Sequence, residues 1–277
     1  MESVNLLKKI KHLLRFYGFS PKRHLGQNFT VSSQILQLLT KSASLTKDDV
    51  VLEIGAGFGF LTRLLSRECK KVIAVEIDHQ LVDYLKKQFT SIDNVVLIEG
   101  DILNVSLPSF NKIVSAPPYS ISSPLLFQLL EKKFDFGIFI LQKEFAERLA
   151  AEVGTKDYGR LTVMINYRAT VDLLNIVSRK MFYPPPDVDS MLLCLKPRDP
   201  PFHVENESIF FDIVRTLFTQ RNKKVRNGLI QFLRKHDITK QEAIKLADST
   251  IYSMRRVREL SPEDFGFLAN EFTNIIQ

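Results

Sequence analysis

Between Val50 and Gln142 the chain alternates short β-branched runs with amphipathic stretches, and no other feature constrains its fold as strongly. VVLEI (50–54), KVIAVEID (71–78), NVVLIEGD (94–101), NKIVS (111–115) and FDFGIFILQ (134–142) read as buried strands. FLTRLLS, QLVDYLKKQF (80–89), SPLLFQLLEKK (123–133) and KEFAERLAAEV, ended by Gly154, have helical spacing; Leu81, Tyr84, Leu85 and Phe89 share one face of the second. Strands that alternate with helices are joined by crossovers, which predicts an α/β fold with a doubly wound, mostly parallel sheet and helices on both faces. Such sheets bind ligands beyond the carboxyl ends of their strands. The loops after Ile54, Val75, Glu99 and Ser115 are therefore the places to look for a site.

Past residue 160 the order changes. RLTVMINYRA reads as a helix, and VDLLNIV and MLLCLK read as strands of a closing antiparallel pair joined by SRKMFYPPPDVDS. KPRDPP (196–201) is a proline-rich linker, which places the expected boundary between domains 1–197 and 198–277. Beyond it the spacing is helical through IFFDIVRTLF, KVRNGLIQFLR, QEAIKLAD and SPEDFGFLANEFTNII, the last opened by a Ser261/Asp264 cap, so a small all-helical domain is expected.

Charge and composition narrow the function classes. The net charge is +7 and is unevenly placed: Lys8, Lys9, Lys11, Arg15, Lys22 and Arg23 lie in one acid-free stretch. Arg215, Arg221, Lys223, Lys224, Arg226, Arg234 and Lys235 lie in another, from 213 to 236. Two such stretches either grip a polyanion, most simply a nucleic acid, or are solvated faces. No apolar run approaches a membrane span, and the basic N-terminus lacks the long apolar core of a secretory signal. Cys69 and Cys194 stand far apart, which fits a reducing, cytoplasmic setting, and the five histidines make no metal-ligand pattern, so neither a membrane nor a metal is expected.

The strand-end loops carry the chemistry. EIGAGFG supplies Gly55, Gly57 and Gly59, a tight turn against which a ligand can lie, spaced unlike the G-x-G-x-x-G of a dinucleotide fold. Glu76 ends the second strand, where an acid can accept from both hydroxyls of a ribose, and Asp101 ends the third, where it can accept from an adenine amino group. SAPPYSIS (115–122) follows the fourth strand, and neither proline can donate to a ladder. That turn either presents backbone carbonyls and the Tyr119 ring to a flat polar substrate or simply connects strand to helix. Glu76, Asp101 and the Pro-Pro-Tyr turn together describe a pocket for an adenosyl group facing a pocket for a second planar molecule.

HLGQNF (24–29), VLEIGAGFGFLT (51–62), VEID (75–78), GDIL (100–103), APPYSISSP (116–124), QKEFAERLAAEVGTKDYGRLTV (142–163) and FYPPPDVDS (182–190) resemble the ordered motifs of the rRNA adenine N6-dimethyltransferases. FTQRNKKVRNGL is similar to the basic helical domain of that family, in its archaeal form. The resemblance implies a seven-stranded class I methyltransferase sheet and S-adenosylmethionine as cofactor. It also implies an activity, dimethylation of two adjacent adenosines in the 3′-terminal hairpin of small-subunit rRNA within an assembling subunit. By the same resemblance Asn28, Thr30, Gly55, Gly57, Glu76, Asp101 and Ala116 would contact the cofactor, and Arg221, Lys223, Lys224 and Arg226 the RNA. Ala116, Pro117, Pro118, Tyr119 and Phe182 would surround a flipped target base, with the Pro117 carbonyl accepting from its amino group and the Tyr119 and Phe182 rings covering its faces. Two positions depart from the family pattern: Thr30 replaces the usual Leu, and Ala116 replaces the Asn whose amide oxygen is one of two acceptors. Ala116 keeps open a second reading, an rRNA-binding assembly factor that methylates weakly or not at all. A third, an NAD-dependent dehydrogenase, accommodates Gly55 and Glu76 but leaves the basic stretches and Pro117–Tyr119 without roles.

Overall fold

The computed structural model describes residues 5–276, and the chain divides into two compact units. One unit runs up to Ala146 and includes Val171–Pro197; the other joins Glu147–Thr170 to the chain from Arg198 onward. In chain order the elements are α1 (Leu6–Phe16), β1 (Phe29–Thr30), α2 (Ser33–Ser42), β2 (Val50–Ile54), α3 (Phe60–Glu68), β3 (Lys71–Glu76), α4 (His79–Gln88), β4 (Val95–Glu99), β5 (Lys112–Ser115), α5 (Ser122–Leu129), β6 (Phe136–Gln142) and α6 (Lys143–Leu149). They continue with α7 (Arg160–Arg168), β7 (Ala169–Val177), β8 (Phe182–Tyr183), β9 (Ser190–Pro197), α8 (Glu207–Phe218), α9 (Val225–Lys235), α10 (Lys240–Ser249) and α11 (Pro262–Ile276).

Seven strands form one sheet in the order β4-β3-β2-β5-β6-β9-β7. The pairs β2–β3, β3–β4, β2–β5 and β5–β6 are parallel and β6–β9 is antiparallel. Burial explains the strand runs: Val51, Leu52 and Ile54 of β2 and Val72, Ile73 and Ala74 of β3 are almost fully enclosed, as strands covered on both faces must be. On α4 the buried residues Leu81, Val82, Tyr84 and Leu85 make the face expected from the spacing. The chain proceeds outward from β2 in both directions, so the switch point lies between β2 and β5. The loops that follow Ile54 and Ser115 flank it.

The opposite edge of the same two strands is tied by an ion pair. Lys112 Nζ lies 2.9 Å from Asp49 Oδ2 and also donates to the Ser44 carbonyl, while Asn111 Nδ2 and the Thr46 N–H donate to the Asp49 carboxylate. Both charged groups are buried. Burial alone would push the Asp49 carboxyl up, but the bonds from Asn111, Thr46 and Lys112 outweigh it and hold the pKa at about 2, against an ordinary 3.8. Asp49→Asn is expected to destabilise the protein by about 3 to 5 kcal/mol in urea unfolding at pH 7, because the Lys112 ammonium is left buried and unpaired. A carboxyl with a lowered folded pKa stabilises above its unfolded pKa. The Asp49 contribution is therefore full at neutral pH and is lost as pH falls from about 4 toward 2.

The second unit has its own core, in which Tyr158, Val163 and Tyr167 are buried with Phe210, Ile213, Phe232, Phe265 and Phe272. The expected division at 197/198 needs a correction: Glu147–Thr170 packs with the helices that follow Arg198. Tyr158, in the GTKDYGRL stretch, makes the tie, since its hydroxyl donates to the Leu260 carbonyl at 2.7 Å and its ring is 1% exposed. The helix expected to run to Gly154 stops at Leu149. Ser261 and Asp264 form the expected reciprocal cap at the start of α11, with Asp264 N–H to Ser261 Oγ at 3.2 Å and Ser261 N–H to Asp264 Oδ2 at 2.9 Å. Among the described residues no helix is long and apolar enough to cross a membrane.

Candidate active site

The turn after β2 needs glycine. Gly55, Gly57 and Gly59 have φ of 77°, 57° and 71°, in the left-handed region that side chains disfavour. A Cβ on Gly59 would come within 2.7 Å of Phe89 and 2.8 Å of Leu85, so the turn also lies close against α4. The Gly55 and Ala56 N–H groups donate to the Val75 carbonyl at 2.8 and 3.2 Å, which brings the turn to the end of β3 and to Glu76.

Glu76 is 6% exposed, and three backbone N–H groups converge on its carboxylate. Gly57 donates to Oε2 at 2.8 Å, and Ile77 and Asp78 donate to Oε1, each at 3.0 Å. Burial raises its pKa and these bonds oppose the rise. Oε2, with a single bond, retains the greater accepting capacity. Asp78, also buried, accepts from Lys22 Nζ and Gln27 Nε2, each at 2.7 Å, and so holds residues 22–28 across the site. Asp101 is half-buried; Oδ1 accepts from the Leu103 N–H at 3.0 Å and Oδ2 from Asn104 Nδ2 at 2.9 Å.

On the other side of the switch point, Ser115 is fully buried and donates its hydroxyl to the Ile54 carbonyl at 2.8 Å, joining the two strand ends. Ala116 and Pro118 are half-buried and Pro117 is buried. No hydrogen bond among the described residues reaches the Pro117 carbonyl. The Tyr119 hydroxyl lies 2.6 Å from Ser190 Oγ on β9, so its ring is held at the far end; burial raises its pKa. Phe182 is 4% exposed and pairs with Thr30 through the short β1–β8 ladder.

One cavity brings most of these groups together. Asn28, Gly55, Gly57, Glu76, Asp101, Ala116, Pro117, Pro118, Tyr119 and Phe182 all line it. Thr30 does not; it lines a smaller pocket with Asn28, Glu53, Gly55, Gly57 and Ala116. Among the lining groups not singled out from the residues are Gly26 and Gln27 of the Asp78-held segment, and Ile77 and Ile102 beside the two acids. Ile77 is 43% exposed, and an apolar side chain open to a cavity between carboxylates was the one available signal.

The basic stretch of the second unit is only partly free. Arg221 donates to the Lys156 and Thr155 carbonyls at 2.8 and 3.0 Å, and Arg226 holds Asp248 through two bonds at 2.5 and 3.0 Å. Lys223 and Lys224 are exposed and make no ion pair among the described residues. Residues 221–225 run beside 255–258: Val225 N–H donates to the Arg255 carbonyl, Val257 N–H to that of Lys223 and Arg258 N–H to that of Arg221. This brings Arg255, Arg256 and Arg258 alongside, from an MRRVR run that the sequence also displays.

A 3-2-1-4-5 parallel core extended by an antiparallel strand, with a glycine turn and an acid after its first two strands, is the sheet of a class I S-adenosylmethionine-dependent methyltransferase. The fold of a dimethyladenosine transferase from Plasmodium falciparum superposes with a TM-score of 0.78 at 28% identity, covering 89% of this chain and 98% of that one. The 23S rRNA methyltransferase ErmE gives 0.64 at 27% identity, covering 90% and 100%. Residues 18–274 match the family described as ribosomal RNA adenine dimethylase, and the chain belongs to that family. It is 42% identical over 247 residues to a Methanosarcina acetivorans protein named "Probable ribosomal RNA small subunit methyltransferase A", covering 88% of this chain and 91% of that one. It is 36% identical over 260 residues to the Pyrococcus furiosus protein of the same name, covering 92% and 93%.

Proposed function

We propose that this chain uses S-adenosylmethionine to dimethylate the N6 amines of two adjacent adenosines in the 3′-terminal hairpin of small-subunit rRNA, acting in the cytoplasm on an assembling subunit. The observation that supports this most is the single cavity that holds Glu76 and Asp101 on one side of the switch point and Pro117–Tyr119 with Phe182 on the other. The residues present fit the cofactor: Glu76 has an oxygen with accepting capacity left for a ribose, Asp101 faces the same cavity, and Ile77 and Ile102 offer apolar walls to an adenine. Asn28, Gly55 and Gly57 border its amino-acid end in this reading. When bound, the cofactor supplies an electrophilic sulfonium methyl.

What the protein must add is position. An adenine amino group is a weak nucleophile because its lone pair is conjugated with the ring, and an acceptor on its hydrogens favours the pyramidal geometry that frees that pair. The Pro117 carbonyl, unpartnered and fixed between two rigid residues, is that acceptor. Tyr119, anchored through Ser190, and Phe182 hold the flipped base. Tritium transfer from labelled S-adenosylmethionine to immature small subunits tests the reading: label in the 3′-terminal hairpin is expected. Retained subunit binding without label would establish instead the assembly factor that Ala116 admits.

The RNA contacts divide by their internal bonds. Replacing Lys223 and Lys224 together by Ala is expected to reduce the slope of log affinity against log salt by about 1.4 to 1.8, two phosphate contacts at roughly 0.7 to 0.9 each. Arg221→Ala, which frees two carbonyls near Tyr158, is expected to lower the stability of the helical unit with a smaller change of slope. An unchanged slope in the double variant would mean that the lysines are only a solvated face.

A further inference from the structure

His24, Leu25, Gly26, Gln27 and Asn28 form one wall of the main cavity, yet they belong neither to the large sheet nor to an α-helix. They lie in an irregular stretch between α1 and β1. Among the described residues, every hydrogen bond that leaves residues 20–28 ends on one group, the Asp78 carboxylate. Lys22 Nζ donates to Oδ1 and Gln27 Nε2 to Oδ2, each at 2.7 Å. Lys22 and Gln27 are also fastened to each other, since the Lys22 N–H donates to Gln27 Oε1 at 2.8 Å. The turn between them closes on itself and is pinned at a single point. The other walls are built differently: backbone bonds tie the glycine turn to the end of β3, and the buried Ser115 hydroxyl ties the end of β5 to β2. Gly26 meets the Pro-Pro-Tyr turn by contact alone, so closely that a Cβ on it would stand 3.0 Å from that of Pro118.

We propose that Asp78 is a positioning residue for the cofactor: by gripping Lys22 and Gln27 it holds residues 24–28 as a clasp over the cavity, and release of that grip lets the cofactor leave. The inference rests on the methyltransferase reading. The carboxylate is itself fixed, because Oδ1 caps α4 by accepting from the Gln80 N–H at 3.2 Å, and the Asp78 N–H donates to Glu76 Oε1. Its side chain is 4% exposed and that of Lys22 is 34% exposed, so the pair has one enclosed end and one end open to solvent. Burial alone would raise the Asp78 pKa, but the bonds from Lys22, Gln27 and Gln80 outweigh it and lower it. The carboxylate therefore stays ionised at neutral pH and keeps its hold on Lys22. Dimethylation uses more than one cofactor per target, so the spent molecule must leave between transfers. A wall held by one ion pair and one amide bond can open for that exchange while the sheet stays intact.

Lys22→Met tests the clasp without touching the cavity, because Lys22 does not line it. The measurement is surface plasmon resonance on the immobilised full chain, with S-adenosylhomocysteine as the probe. Dissociation from Lys22→Met is expected to be about 5- to 20-fold faster, the lower range for a charge-assisted bond because the lysine is partly solvated. Association is expected to stay within about twofold of the parent, since the change falls on the closed state. Lys22→Arg keeps the charge and the donors and is expected to restore slow release. Asp78→Asn keeps an oxygen for the α4 cap and is expected to release faster as well; adding Lys22→Met to it should change little more, because both remove the same ion pair. Unchanged dissociation from Lys22→Met, or additive effects in the double variant, would overturn the assignment and make residues 22–28 a fixed wall. The comparison of Lys22→Met with Lys22→Arg stands even if Asp78→Asn fails to fold. A parent protein that binds no S-adenosylhomocysteine would overturn the methyltransferase reading itself, and this proposal with it.

Discussion

Glu76→Ala is expected to weaken S-adenosylmethionine binding at least 100-fold in a calorimetric titration. Each hydrogen bond from a ribose hydroxyl to a carboxylate contributes roughly 1.5 to 3 kcal/mol, and every 1.4 kcal/mol is a decade of affinity. The substitution does more than remove ligand contacts. The Gly57, Ile77 and Asp78 N–H groups all end on this carboxylate, so its loss also frees the glycine turn and the start of the segment held by Asp78. Unfolding in urea is expected to show a loss of about 1 to 3 kcal/mol as well. Glu76→Gln separates the two effects, because its remaining oxygen still accepts while its amide opposes the N–H donors. Unchanged affinity in Glu76→Ala would remove this residue from the cofactor site.

The strand-end loops were legible in the sequence because each is marked twice, once by the end of a β-branched run and once by residues that cannot continue it. Gly55 and Gly57 after β2, and Pro117 and Pro118 after β5, are of this kind, and the cavity forms between them. Tertiary partners left no such mark. Nothing near Tyr158 announces that its hydroxyl will meet Leu260, 102 residues further on, and carry Glu147–Thr170 into the helical unit. In the same way a run of cations does not say which are already paired: Arg221 and Arg226 are held by carbonyl or carboxylate partners from distant segments, while Lys223 and Lys224 between them make no ion pair among the described residues. Glu53 lies within VVLEI, a run that reads as a buried strand, but only the packed structure shows this acid enclosed with Oε2 unpaired.

Ala116→Asn is expected to raise the single-turnover methylation rate by about 10-fold or more. In the proposed reading the Pro117 carbonyl is the one acceptor assigned to the target amine, and one missing acceptor at a reacting centre costs roughly 2 to 4 kcal/mol of transition-state stabilisation. Each 1.4 kcal/mol recovered is a decade of rate, and the gain belongs to turnover more than to binding. Ser115 does not fill the gap, since its hydroxyl is fully buried and donates to the Ile54 carbonyl. Overpacking is the competing outcome to check, but Ala116 borders both the main cavity and the smaller pocket, so a longer side chain has open space on two sides. The comparison requires cofactor affinity measured in both proteins. Equal rates at equal occupancy would show that the Pro117 carbonyl and the two rings position the base sufficiently, and that the departure at position 116 carries no catalytic cost.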